Sequence, residues 1–185
     1  MFIANLFKRT FIWRKLQYIK LVVLDVDGVL TNGNIIISSN GIESKIFNVK
    51  DGLGIKLLQK CGIEVCLVSG GEPESAKIRA DKLAIRHYIF NAKNKLSALN
   101  ALQEKLNKSK KETLFLGDDI NDQVVKPSVN ILIATNDASS SLKQKSDIIL
   151  NSKGGDGAVR ELAIDILKSK KLWNKFKKHG WIDKN

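Results

Sequence analysis

Cysteine and proline are both scarce in this chain, with two of each in 185 residues. Cys61 and Cys66 make neither a disulfide framework nor a CxxC motif. They read as small apolar residues of a reduced, cytosolic protein. No long linker, internal repeat or low-complexity segment interrupts the chain, so one domain is expected. No apolar run reaches the length of a membrane span. Acids are also in short supply, 19 against 31 Lys and Arg, giving a formal net charge of +12 and a pI near 9.7. That balance suits an anionic partner: a phosphorylated metabolite, a nucleic acid or a membrane surface.

Much of the excess charge lies at the two ends, so it says less about the middle. Residues 1–20 contain no acid. There Phe2, Ile3, Leu6, Phe7, Phe11, Ile12, Trp13 and Leu16 alternate with Lys8, Arg9, Arg14 and Lys15, which interrupts any signal-peptide core. Such a segment is either a helix packed on its own domain, the commoner case, or a helix at a membrane surface. The Lys-rich end, from Lys168 to Asn185, carries no groove-reading motif and reads as a solvated tail rather than a nucleic-acid binder. The expected division is a basic extension over 1–19, one domain over 20–170 and a basic tail over 171–185. Over the whole chain, 43% hydrophobic and 27% charged residues are ordinary for a soluble globular protein.

What is present centres on Lys20-Leu-Val-Val-Leu-Asp-Val-Asp-Gly-Val-Leu-Thr31. Its apolar, β-branched run reads as a strand buried on both faces. A buried strand should not end in two carboxylates, Asp25 and Asp27, unless a cation or donors meet them. The carboxyl end of a central strand is where open α/β sheets bind ligands. The chemical reading is an aspartate nucleophile with a second acid two residues on, sharing Mg²⁺. The plain alternative is a strand closed by an Asp-Gly turn.

Downstream, Ile35–Ser38 and Ile42–Val49, joined by Ser39-Asn-Gly41, predict a hairpin projecting from the same edge. A helix is expected from near Asp51 to Cys61. Strands follow at Ile63–Val68, His87–Phe90, Thr113–Leu116, Asn130–Ala134 and Asp147–Leu150, with helices between them and a last one from about Val159 to Lys170. That alternation predicts an α/β fold: a doubly wound, Rossmann-like, three-layer parallel sheet with a projecting hairpin and no cap domain. Polar groups then stand at three strand ends, at Asp25 and Asp27, at Ser69, and at Asp118 and Asp119. Lys95 adds a cation at a helix start. Carboxylates on different strands can hold Mg²⁺, while a hydroxyl and an ammonium hold phosphoryl oxygens.

This pattern resembles the haloacid-dehalogenase superfamily of phosphatases. It is most similar to the small capless branch acting on 3-deoxy-D-manno-octulosonate 8-phosphate. The resemblance covers roughly residues 20–165. It rests on DVDGVLTNG at 25–33, NVKDGLGIK at 48–56, SGG at 69–71, NK at 94–95, GDDIND at 117–122 and GGDGAVRE at 154–161. It implies that Asp25 attacks phosphorus and that Asp27 acts as acid, then base. Mg²⁺ would sit on the Asp25 carboxylate, the Asp27 carbonyl and Asp118, while Ser69 and Lys95 stabilise the phosphoryl group. Asn48, Asp51, Gly52, Lys56, Gly70 and Arg79 would line the sugar and phosphate side.

It also implies a cytoplasmic homotetramer whose hairpins cover neighbouring sites, in lipopolysaccharide precursor synthesis. One departure stands out. The branch usually has Arg where this chain has Gly71, and a sister branch acting on nine-carbon 9-phosphates tends to have Glu. The readings in competition are the eight-carbon phosphatase, the nine-carbon one, and an oligomerisation module without turnover. The intact Asp25, Asp27, Ser69, Lys95 and Asp118 argue against the last.

Overall fold

The computed structural model describes residues 12–72 and 74–180. Its centre is β1 (Leu21–Leu24), four buried apolar residues that pair in parallel on both sides. One neighbour is β4 (Glu64–Val68) and the other is β6 (Thr113–Gly117). The sheet continues outward to β5 (His87–Ile89) beyond β4, and to β7 (Ile131–Ala134) and β8 (Ile148–Ile149) beyond β6. The order β5-β4-β1-β6-β7-β8 is all parallel, the doubly wound arrangement expected from the sequence. Both sheet faces must then be covered by helices, which is why these strands read as continuous apolar runs.

Alternate residues of β1 enter different cores. Val22 and Leu24 pack with α1 (Val49–Lys60), α2 (Glu74–Lys82) and α5 (Ala158–Ser169). Leu21 and Val23 pack against α3 (Lys95–Lys105), the 3₁₀ segment Ile120–Ser128 and α4 (Ser140–Lys145). Register matters most for function. Leu24 lies opposite Leu67 on one side and Leu116 on the other, so Asp25, Ser69 and Asp118 emerge together at one edge.

The hairpin is shorter than the sequence predicts. Only β2 (Ile36–Ile37) and β3 (Glu43–Ser44) pair, antiparallel, with Ile35, Ile36, Ile37, Ile42 and Ile46 exposed. With no sheet behind it, each strand has one partner and little to bury, which limits its length. Helix α1 starts at Val49, two residues before the expected place, because the Asn48 side chain accepts from Lys50 N at 2.8 Å and caps it.

At the chain ends, residues 12–16 are helical and Ile12, Leu16 and Ile19 enter the core, so this stretch packs on its own domain. Residues 1–11, most of the amphipathic segment, lie outside the described residues. The stretch read as a solvated tail forms α6 (Trp173–His179), with Trp173 and Phe176 packed on the core and Arg160 over the Trp173 ring. No helix among the described residues is long and apolar enough to cross a membrane.

Candidate active site

The edge where β1, β4 and β6 end gathers four ionisable groups. Asp25 is 4% exposed, with Oδ1 accepting from Val26 N at 2.7 Å and Oδ2 paired to Lys95 Nζ at 2.7 Å. The same ammonium meets Asp122 Oδ1 at 2.6 Å. Lys95 reaches them because Asn94 caps α3 with its side chain on Ser97 N, fixing where the first helical residue points. Asp122 Oδ2 accepts from Asp118 N at 2.9 Å and so shapes the turn that presents Asp118. Two glycines make room for this crowding. A Cβ built on Gly28, whose φ is +75°, would stand 2.0 Å from Asp118 Oδ2. One built on Gly117 would stand 2.3 Å from Asp122 Oδ2.

Carboxylate oxygens of Asp25, Asp118 and Asp122 lie within 4.8 Å of one another. Burial, then the negative charge of Asp122, push Asp25 up to about 7, against the pull of Lys95. Burial and the charges of Asp25 and Asp122 push Asp118 up to about 8. Burial works to strip Lys95 of its proton, but Asp25 and Asp122 outweigh it and raise its pKa. One ammonium therefore does not neutralise the cluster. The donor set, all hard oxygens, from the ends of β1 and β6 and from the 3₁₀ segment that follows β6, fits a divalent cation such as Mg²⁺.

Models of the haloacid dehalogenase-like hydrolases match residues 49–123 and 89–162. The 3-deoxy-D-manno-octulosonate 8-phosphate phosphatase of Salmonella typhi is 38% identical over 153 residues, covering 83% of this chain and 81% of that one. The chain belongs to the haloacid dehalogenase-like hydrolases. Solved members superpose closely on this hydrolase. The Moraxella catarrhalis phosphatase of the same name, in complex with magnesium, phosphate and KDO, has 35% identity and a TM-score of 0.89, over 91% of this chain and 97% of that one. The cobalt-bound Haemophilus influenzae enzyme has 34% identity and a TM-score of 0.85, over 88% and 95%.

Of the residues singled out in the sequence, the hydrolase fold brings Asp25, Lys95 and Asp118 into one cluster. Ser69 stands at the neighbouring strand end, buried, with its Oγ accepting from Gly71 N at 3.2 Å. Gly70 and Gly71 are exposed beside it. Asp27 is bound by Lys45 and lies 3.5 Å from Thr31 Oγ1.

A second group lies where α1 meets α2 and α5. Asp51, expected on the substrate side, is 1% exposed and accepts from Gly157 N at 3.2 Å and Arg160 N at 2.9 Å. It caps the start of α5 from another helix, which a carboxylate does well at a helix N-terminus. Burial raises its pKa while those backbone donors pull against the rise. Asn48 caps α1 and donates to Gly155 O at 3.3 Å. Arg79 lies over the Phe47 ring, donates to Asn48 O at 3.3 Å, and crowds Gly52 so that a Cβ there would stand 2.4 Å from Nη2. Lys56 sits half-buried on the same helix.

Asp51→Ala should therefore cost stability, about 1–3 kcal/mol, by leaving buried backbone donors unpaired. Urea unfolding measures it. A large rise in KM at unchanged stability would return Asp51 to the substrate side.

Sequence reading missed Asp122 and Lys45. The Gly117-Asp-Asp-Ile-Asn-Asp122 stretch held a signal for the first. Asp122 is the third carboxylate of that stretch, and a 3₁₀ turn folds it back on Asp118 N. Lys45 had none, since nothing in a surface hairpin sequence marks one lysine as buried.

Proposed function

We infer that this chain is a Mg²⁺-dependent phosphatase that hydrolyses 3-deoxy-D-manno-octulosonate 8-phosphate through an aspartyl-phosphate, in lipopolysaccharide precursor synthesis. The observation that carries it is the trio Asp25, Asp118 and Asp122 closed by Lys95, in a chain 38% identical to a phosphatase of that substrate.

The Asp25 carboxylate attacks phosphorus, and the bond to the sugar oxygen breaks as the bond to Asp25 forms. Asp27 gives its proton to that leaving oxygen. It then takes a proton from water, whose oxygen attacks phosphorus and frees Asp25. Lys95 and Ser69 hold the phosphoryl oxygens. Asp25, Asp118 and the Asp27 carbonyl would hold Mg²⁺, which when bound would supply positive charge for the phosphoryl oxygens. Gly71 in place of the usual arginine leaves the sugar carboxylate to other cations, with Arg79, Lys77 and Lys82 the candidates. Phosphate release from the eight-carbon substrate, a nine-carbon 9-phosphate and a simple sugar phosphate tests this. It should be fastest by at least about tenfold on the first and should vanish with chelator. A preference for either other ester would overturn the substrate.

Metal also governs stability. Asp25 and Asp118 sit well above their unfolded value of 3.8, at about 7 and about 8. A group with a raised folded pKa contributes stability that is complete below the unfolded pKa and is lost as pH rises through the folded one. In chelator, the melting temperature should fall between about pH 4 and pH 8. Mg²⁺ should restore it most at the alkaline end, since the ion binds the ionised carboxylates. Melts across that range with and without Mg²⁺ check both signs, and a chelated protein that gains stability toward pH 8 contradicts them.

The assembly is read as a homotetramer in which the hairpin covers a neighbour's site. Its exposed Ile35, Ile36, Ile37, Ile42 and Ile46 form an apolar strip that a monomer leaves in water. Sedimentation should give four chains, and Ile37→Asp with Ile42→Asp should dissociate them. The free thiols, with buried Cys66 pushed up to about 12, suit the cytoplasm.

A further inference from the structure

Asp27 is gripped by a second buried ammonium that takes no part in the nucleophile's cluster. Lys45 follows β3 at the root of the hairpin, and its side chain is 2% exposed although the hairpin stands in solvent. Its Nζ binds Asp27 Oδ1 and lies 3.4 Å from Glu43 Oε1. Thr31 Oγ1 approaches the same Asp27 oxygen at 3.5 Å, and Thr31 is itself held by Gly33 N at 3.2 Å. Among the described residues no donor reaches Asp27 Oδ2. The carboxylate nevertheless stays 37% exposed. One oxygen is therefore held by a cation, with the Thr31 hydroxyl shared between it and Val26 O at 3.4 Å, and the other has no donor.

We propose that Lys45 is a positioning residue that clamps Asp27 Oδ1, so that Oδ2 meets the leaving oxygen of the substrate. This rests on the acid–base role of Asp27 given above. Proton transfer needs the two oxygens within about 2.6–3.2 Å. An aspartate in a turn that ends in a left-handed glycine can swing away unless something holds it. A misplacement of about 1 Å costs on the order of a hundredfold in rate. Glu43 keeps the ammonium from being pulled wholly onto Asp27, and it ties the grip to the hairpin.

Single-turnover kinetics of Lys45→Met and Lys45→Arg, on the sugar-acid phosphate and on p-nitrophenyl phosphate, test the proposal. The first substrate leaves as an alkoxide and needs the acid. The second leaves well without it. Lys45→Met should slow phosphorylation by the sugar phosphate on the order of a hundredfold, with KM changed by no more than about twofold. Phosphorylation by the nitrophenyl ester should keep most of its rate. Lys45→Arg, which retains a cation and donors, should recover much of the loss. In an Asp27→Asn background the lysine change should add nothing, since the group it positions is gone. Equal loss on both substrates overturns the proposal, as does a rise in KM alone, which would make Lys45 a substrate ligand. No loss at all overturns it too. If Asp27→Asn itself turns over like wild type, the acid–base role fails instead, and the two failures are distinguishable.

Discussion

Asp25→Asn should remove turnover while the fold stands. The side chain is buried at the end of β1 with its two oxygens on Val26 N and Lys95 Nζ, and an amide fits that space. An amide does not attack phosphorus and is a poor ligand for Mg²⁺. Loss of a nucleophile in another hydrolase costs on the order of a millionfold in kcat, below the reach of a steady-state assay. Stability moves less. In chelator, Asn relieves the repulsion that Asp122 exerts on this site but offers one acceptor to two donors, so the metal-free variant should stay folded and melt close to wild type. Its gain on adding Mg²⁺ should be smaller. A variant that retains activity would remove the covalent mechanism. One that unfolds would show Asp25 to be a structural carboxylate first.

Lys95→Met should be the most damaging change to metal-free stability. Among the described residues Lys95 is the one cation in contact with Asp25 and Asp122, and all three side chains are buried. Breaking a buried charge cluster by removing one partner costs about 3–5 kcal/mol, because the remaining charges have no water and no counterion. Here two carboxylates remain, and the neighbouring Asp118 makes three. The cost should grow as pH rises and the carboxylates ionise. Added Mg²⁺ should recover part of it by meeting the same oxygens. Activity should fall about a hundred- to a thousandfold with Mg²⁺ saturating, the usual scale for losing one stabiliser of developing charge. Denaturant titrations of both proteins, with and without Mg²⁺, separate the two effects. A metal-free Lys95→Met as stable as wild type would mean that the carboxylates are protonated throughout.

The parallel core was legible because its strands are buried on both faces. Leu21–Leu24, Thr113–Gly117 and Ile131–Ala134 have no alternation to misread, and each is followed by turn chemistry. Strand ends carrying Asp25, Ser69 and Asp118 were therefore predictable, and parallel register then places them side by side. Features made by contact between distant segments were not legible. Asp51 and Gly157 are 106 positions apart, and only the packing of α1 on α5 makes the carboxylate a helix cap. The grip of Lys45 on Asp27 depends on how a hairpin folds back over a turn. The packing of Trp173 and Phe176 hid behind lysine, because composition reports the exposed side of a helix as readily as the buried one.

The most direct test of the account is to stop the reaction with acid during turnover of 3-deoxy-D-manno-octulosonate 8-phosphate and map phosphate on the protein by mass spectrometry. With Mg²⁺ present, the peptide spanning Leu21 to Thr31 should carry one phosphoryl group on Asp25, lost on treatment with hydroxylamine. The Asp25→Asn protein should carry none. Full turnover with no phosphorylated peptide, or with the phosphoryl group on any other residue, would contradict the assignment of Asp25 as the nucleophile.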